Sequence, residues 1–173
     1  KAWNLGLASA LACGAFTFLL GGGPVEMCCA FLGAGVGNFV RKKMLGHSIS
    51  LLANVAVSVA ASCLVYVLTI LLAQSLLSVS AVHQAGYICA MLFVIPGFPL
   101  ITGGIDLAKL DLRSGLERVS YALLIILTAT MTGWATAVIC HFQPADFEPL
   151  ELQKWTLLCF RLIASFCGVY GFS

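Results

Sequence analysis

The chain has 173 residues, of which 61% are hydrophobic and 9% charged, with 9 Lys and Arg against 7 Asp and Glu and a formal net charge of +2. A soluble domain carries about 25% charged residues to wet its surface, so most of this exterior must face hydrocarbon. Charge is also too sparse for a basic nucleic-acid-binding face. The expected fold class is therefore all-α, a polytopic transmembrane helix bundle.

Apolar runs of about 20 residues cross a bilayer. Such runs fall at about Trp3 to Leu20, Val25 to Val40, Ile49 to Ala73, Ala85 to Ala108 and Gly115 to Ile139, and a sixth opens near Trp155. The breaks between them carry turn chemistry: GGGP from Gly21, RKKMLGHS from Arg41, KLDLRS from Lys109, and the acidic HFQPADFEPLELQK from His141 to Lys154. With the amino end cytoplasmic, Lys1, Arg41, Lys42, Lys43, Lys109, Arg113 and Arg118 fall inside, Lys154 outside, and Arg161 within the sixth run. That is a positive-inside pattern. It places the chain in the cytoplasmic (inner) membrane as a multi-pass protein, with Arg41, Lys42 and Lys43 read as topology anchors.

In the first span Gly6, Ala10 and Gly14 recur every four residues, and in the second Gly33 and Gly37 form a G-x-x-x-G. Small residues at this spacing let membrane helices approach closely. Glu26 opens the second span, where a first-turn acid is stabilised by the helix dipole. Along the third span Ser50, Asn54, Ser58, Ser62 and Tyr66 fall four apart on one face, and Thr128, Thr132 and Thr136 repeat the pattern in the fifth. Such stripes avoid lipid. They serve either as glue between helices or as the lining of a wet pathway, with Asn54 and Ser58 as candidate substrate contacts.

The fourth span contains FVIPGFPLITGGIDLAKLD from Phe93 to Asp111. Pro96 and Pro99 each remove a backbone donor, while Gly97, Gly103 and Gly104 relax the chain, so this helix is expected to break. Irregular backbone at membrane depth survives where it is buried in protein or lines a cavity, and broken helices hold substrate in secondary transporters. Carbonyls freed near Leu92 and Ile95 would accept from an ammonium, and amides around Thr102 and Gly103 would donate to a carboxylate. Asp106 is a candidate for proton coupling or ammonium binding, and equally for pairing with Arg113 or Arg118.

The eight cysteines read as small hydrophobes, since Cys13, Cys63, Cys89, Cys140, Cys159 and Cys167 lie in or at the ends of apolar runs and no C-x-x-C occurs. An enzyme is not expected. His47, His83 and His141 lie in or beside loops, and neither H-E-x-x-H nor G-x-S-x-G is present. No metal, haem or flavin site is expected, so no cofactor is assigned. Because the chain starts at Lys1 and stops at Ser173 within an apolar run, it is expected to be a piece of a longer protein.

The order of GAFTFLLGGG, RKKM, VIPGFPLITGGIDL and RSGLERVSYALLI resembles the threonine/serine exporter family over roughly the first 140 residues. The resemblance implies residues 1–140 as a five-span membrane half, residues 141–154 as an extracytoplasmic acidic loop, and residues 155–173 as the start of a second half. It implies a secondary transporter exporting small polar amino acids under the proton motive force. A dicarboxylate exporter of the same family and a non-transporting structural membrane subunit are the alternatives. The implied partners are threonine, serine or a similar small molecule, protons, the lipid bilayer, and a second membrane half in the same or a partner chain, as a monomer or a homo-oligomer. Positions matching its motifs are Pro96, Gly97, Asp106, Ser114, Gly115 and Arg118, with Asp106 and Arg118 as coupling or gating candidates. An odd number of spans per half would insert the second half inverted, the arrangement behind alternating access.

Overall fold

A computed structural model describes residues 2–46, 49–77, 84–142 and 155–165, apart from 157 and 160. The acidic stretch 143–154, the basic and histidine residues Lys1, His47, His83 and Lys154, and Cys167 lie outside the described residues. Among the described residues there are helices and no strand. They run α1 (Ala2–Leu19), α2 (Pro24–Leu45), α3 (Leu51–Leu77), α4 (Gln84–Ala90), a 3-10 turn (Leu92–Val94), α5 (Gly97–Ala108) and α6 (Leu112–Ile139). Residues 155–165 are helical where described.

The helix ends follow from local chemistry. After α1, Gly22 N–H donates to Thr17 O at 2.9 Å and Gly21 N–H to Phe18 O at 3.0 Å, with Gly21 at φ +94°. This paired closure needs a left-handed residue, which glycine adopts without a Cβ penalty. In α2, Pro24 occupies the first turn, where its missing N–H costs nothing, and Glu26 supplies the first-turn acid. Far from stopping at Val40, α2 runs through Arg41, Lys42 and Lys43 to Leu45. Cations near a helix C-terminus are favoured by its dipole, which extends the helix past the end of the apolar run.

α3 is the hub, packed on α2, α4 and α6, while α1 packs on α2 and α4. Val55, Val59, Cys63, Tyr66 and Ile70 on one face of α3 are each fully buried and meet Cys29, Ala30 and Ala34 of α2 and Cys89 and Ala90 of α4 in one core. Gly33 and Gly37 are where α2 comes closest: a Cβ on Gly33 would lie 2.9 Å from the Ser62 carbonyl, and one on Gly37 would lie 2.7 Å from both Ser62 Cβ and the Phe93 ring. Between α1 and α2, a Cβ on Gly14 would lie 3.4 Å from Met27 O, and Asn38 Nδ2 donates to Ser9 Oγ at 2.7 Å. Tyr66, Tyr87 and Phe142 stack edge-on or tilted at 5.3–6.2 Å, and Tyr87 Oη donates to Gly133 O at 2.7 Å, tying α4 to α6.

α3 and α6 are each long and apolar enough to cross a bilayer. A third such element exists if the residues 85–94 and α5, which meet at a bend of 71°, form one span. α5 packs on α6 and on no other helix to a comparable extent. Its outer residues Phe98 and Ile101 are 78% and 67% exposed, an apolar face that water would not tolerate at this density.

Candidate functional site

The break in the fourth helix is built by Pro96. The chain tightens from α4 into the 3-10 turn, where Val94 N–H donates to Met91 O and Ile95 N–H to Leu92 O. The next donor in that register would be residue 96, a proline, so the Phe93 carbonyl is left over. Arg41 of α2 fills the gap, its guanidinium donating to Phe93 O at 3.3 Å. Ile95 is extended, with ψ 121°, as the residue before a proline prefers, and Gly97 N–H turns back to Ile95 O at 3.0 Å. α5 then starts at once. Pro99 lies in its first turn, where no N–H donor is needed, so the helix does not wait until after that residue.

This changes the expected chemistry of the break. The Leu92 and Ile95 carbonyls already accept from neighbouring amides, and the freed carbonyl is that of Phe93. The amides of Thr102 and Gly103, expected to be open to a carboxylate, lie inside α5. Pro96 and Gly97 sit at the break itself, and a Cβ on Gly97 would meet nothing within 4 Å.

Beside the break, α5 and α6 form an open groove of about 330 Å³ lined by Phe98, Pro99, Thr102, Glu117, Arg118 and Tyr121. It falls at the lower end of the range of small-molecule sites, about 300–1,000 Å³. Thr102 Oγ1 bonds back to Phe98 O at 2.9 Å. Beyond the groove, Arg118 Nη1 stands 3.2 Å from Asp106 Oδ2, which also accepts from Ser114 Oγ at 3.2 Å. Arg113 pairs instead with Glu117, at 3.5 Å and highly exposed. Gly103 and Gly115 make this clustering feasible: a Cβ on Gly115 would lie 2.7 Å from the Leu107 side chain and 3.0 Å from its backbone N, and one on Gly103 would lie 2.9 Å from Val119.

The α3 stripe lies elsewhere. Asn54, Ser58, Ser62 and Tyr66 are buried within the bundle, and Ser50 is exposed ahead of α3, its Oγ accepting from Ala53 N–H at 3.4 Å. Ser62 Oγ donates to Ala90 O at 2.6 Å, Asn54 Nδ2 to Arg41 O at 3.2 Å, and Ser58 Oγ to Val55 O of its own helix. Thr128, Thr132 and Thr136 each bond back to the carbonyl four residues earlier in α6. Asn54 Oδ1 and Tyr66 Oη are buried without a hydrogen-bond partner among the described residues. Sequence reasoning missed Arg41, Glu117 and Tyr121. The one available signal for Arg41 was that it is the first basic residue after an apolar run.

The fold and the site define an all-α membrane protein with a broken helix beside a small open groove that carries charged and hydroxyl side chains. Residues 1–140 match the family model described as "Putative threonine/serine exporter", and the chain belongs to that transporter family. No curated protein and no solved structure matches the chain.

Proposed function

We propose that this chain is the first membrane half of a secondary exporter that moves threonine, serine or similar small amino acids out across the cytoplasmic membrane, driven by the proton motive force. The observation that carries the reading is the Pro96 break, bent by 71° beside an open groove of about 330 Å³. Glu117 and Arg118 give that groove both signs of charge, and Thr102 and Tyr121 add hydroxyls, a set that suits a zwitterion with a polar side chain. Substrate contacts come from this groove and the break at Pro96 and Gly97. Asp106, held by Arg118 and Ser114, is the coupling carboxylate.

In this reading residues 1–140 form five spans with the amino end cytoplasmic, residues 141–154 an extracytoplasmic loop, and residues 155–173 the start of the second half. α6, with 28 residues, is about 42 Å long at 1.5 Å per residue. It exceeds a hydrocarbon core of about 30 Å, which leaves Arg113, Glu117 and Arg118 near the cytoplasmic interface. The exposed apolar faces of α5 and α6 meet lipid or the second half, in the same chain or a partner. Counterflow in proteoliposomes holding the full-length protein tests the reading, with labelled threonine, serine and succinate and with or without a pH gradient. Saturable, gradient-sensitive exchange of the two amino acids is expected. Exchange of succinate alone replaces the substrate with a dicarboxylate, and no exchange from folded protein removes the transport reading.

A further inference from the structure

Three consecutive cations end α2, and the structure treats them differently. Lys43 is exposed, but Arg41 is half-buried and turned into the bundle, where one N–H reaches Phe93 O at 3.3 Å. A guanidinium has five N–H donors and no acceptor, and its other four make no hydrogen bond among the described residues. Nor does it have a counter-ion there. Of the four described acids, Asp106 pairs with Arg118, Glu117 with Arg113, Asp111 caps α6 through Ser114 N–H, and Glu26 lies in the first turn of the same helix, four turns away. A cation withdrawn from water is costly unless paired, and those kept within membrane proteins mark substrate or ion paths.

A second observation lies on the neighbouring helix. Asn54, 3% exposed, holds the main chain of Arg41 through Nδ2 at 3.2 Å. Because its partner is a carbonyl, the amide orientation is fixed, and Oδ1 is left as a buried acceptor with no donor among the described residues. Asn54 thus fixes the main chain of the residue whose guanidinium reaches the break.

We infer that Arg41 is a carboxylate-binding residue beside the helix break, with Asn54 holding its main chain in place. The inference rests on the transport reading but not on the choice of substrate, since amino acids and dicarboxylates both present a carboxylate. A planar guanidinium matches that group with two parallel hydrogen bonds, which a lysine cannot reproduce. Loading would supply the anion Arg41 lacks.

The test is equilibrium binding to the full-length protein in nanodiscs, with threonine, its carboxyl-free analogue threoninol, and succinate as probes. Wild-type protein should bind at least one carboxylate, and threonine at least about 100-fold more tightly than threoninol if threonine is that ligand. Arg41→Gln should lose about 100-fold for the carboxylate and nothing for threoninol. Arg41→Lys, which keeps the charge and guards against misfolding of the glutamine variant, should lose about tenfold. Lys43→Gln, removing the same charge two residues away, should bind as wild type. Carboxylate binding by folded Arg41→Gln at wild-type strength, equal binding of threonine and threoninol, or no carboxylate binding by wild type would each overturn the inference. Succinate binding that depends on Arg41, without threonine binding, would sink the amino-acid reading and leave Arg41 in place.

Discussion

Arg118 Nη1 lies 3.2 Å from Asp106 Oδ2, joining α6 to α5 beside the point where Gly103 lets the two helices touch. The Arg118 side chain is 48% exposed, so the pair contributes to stability no more than about 1 kcal/mol. Its removal should therefore separate folding from function. Asp106→Asn is expected to leave the melting temperature within a few degrees of wild type while abolishing the response of transport to an imposed pH gradient. Flux measured with and without the gradient decides the matter; a variant that still responds would remove Asp106 from coupling.

The α5–α6 crossing makes a second prediction through its glycines. A methyl on Gly115 would press on both the side chain and the backbone of Leu107, which cannot yield without moving α5. Gly115→Ala should cost about 1–3 kcal/mol, the usual range for overpacking. Gly104 has nothing within 4 Å of its would-be Cβ, so Gly104→Ala should gain up to about 1 kcal/mol from helix propensity alone. Thermal unfolding of both variants in the same detergent reads the difference, and equal shifts would mean that the helices do not pack at Gly115.

Hydrogen bonds across the bundle should each be worth little. Ser62 Oγ to Ala90 O and Tyr87 Oη to Gly133 O join α4 to α3 and α6. Side-chain bonds between membrane helices average about 0.6 kcal/mol and reach about 1.7. Ser62→Ala and Tyr87→Phe are expected in that range, Tyr87 toward the upper end because its ring also contacts Tyr66 and Phe142 and holds the hydroxyl in place. Unfolding by a graded denaturing detergent measures both, and a loss above about 3 kcal/mol would show that more than a bond had gone.

How far these features could be read without the structure depends on whether their cause is local. Gly33 and Gly37 announced a close crossing because spacing on a helix is local, and the structure brings α3 against them. The break at Pro96 was equally legible, since a missing N–H belongs to one residue. The inward turn of Arg41 was not. It answers a carbonyl that is orphaned only once Pro96, far along the chain, follows a 3-10 turn. Hydropathy marks where lipid contact ends rather than where a helix ends, so the apolar run alone predicts that α2 stops before its cations. The polar stripes show the same limit. Asn54 and Ser62 bond to main chain outside α3, whereas the threonines of α6, at identical spacing, bond to their own helix. A threonine hydroxyl reaches the carbonyl four residues back, so periodicity alone cannot choose between glue and lining.

The turn from α5 into α6 carries the last prediction. Asp111 N–H donates to Asp106 O and Leu110 N–H to Leu107 O, both at 3.0 Å, the same closure that ends α1. At α1 the left-handed position is Gly21; here it is Leu110, at φ 63° and 81% exposed. A left-handed backbone costs a residue with a Cβ about 1–2 kcal/mol, and the exposed Leu110 side chain gains little from burial to offset it. Leu110→Gly should then stabilise the protein by about 1 kcal/mol, because glycine takes that conformation freely and the flanking Asp111 cap on Ser114 N–H is untouched. Thermal unfolding checks it directly. A loss of stability would mean that the Leu110 side chain is covered in the assembled protein, by the second membrane half or by lipid, and a crosslink from an engineered Leu110→Cys would then identify the neighbour.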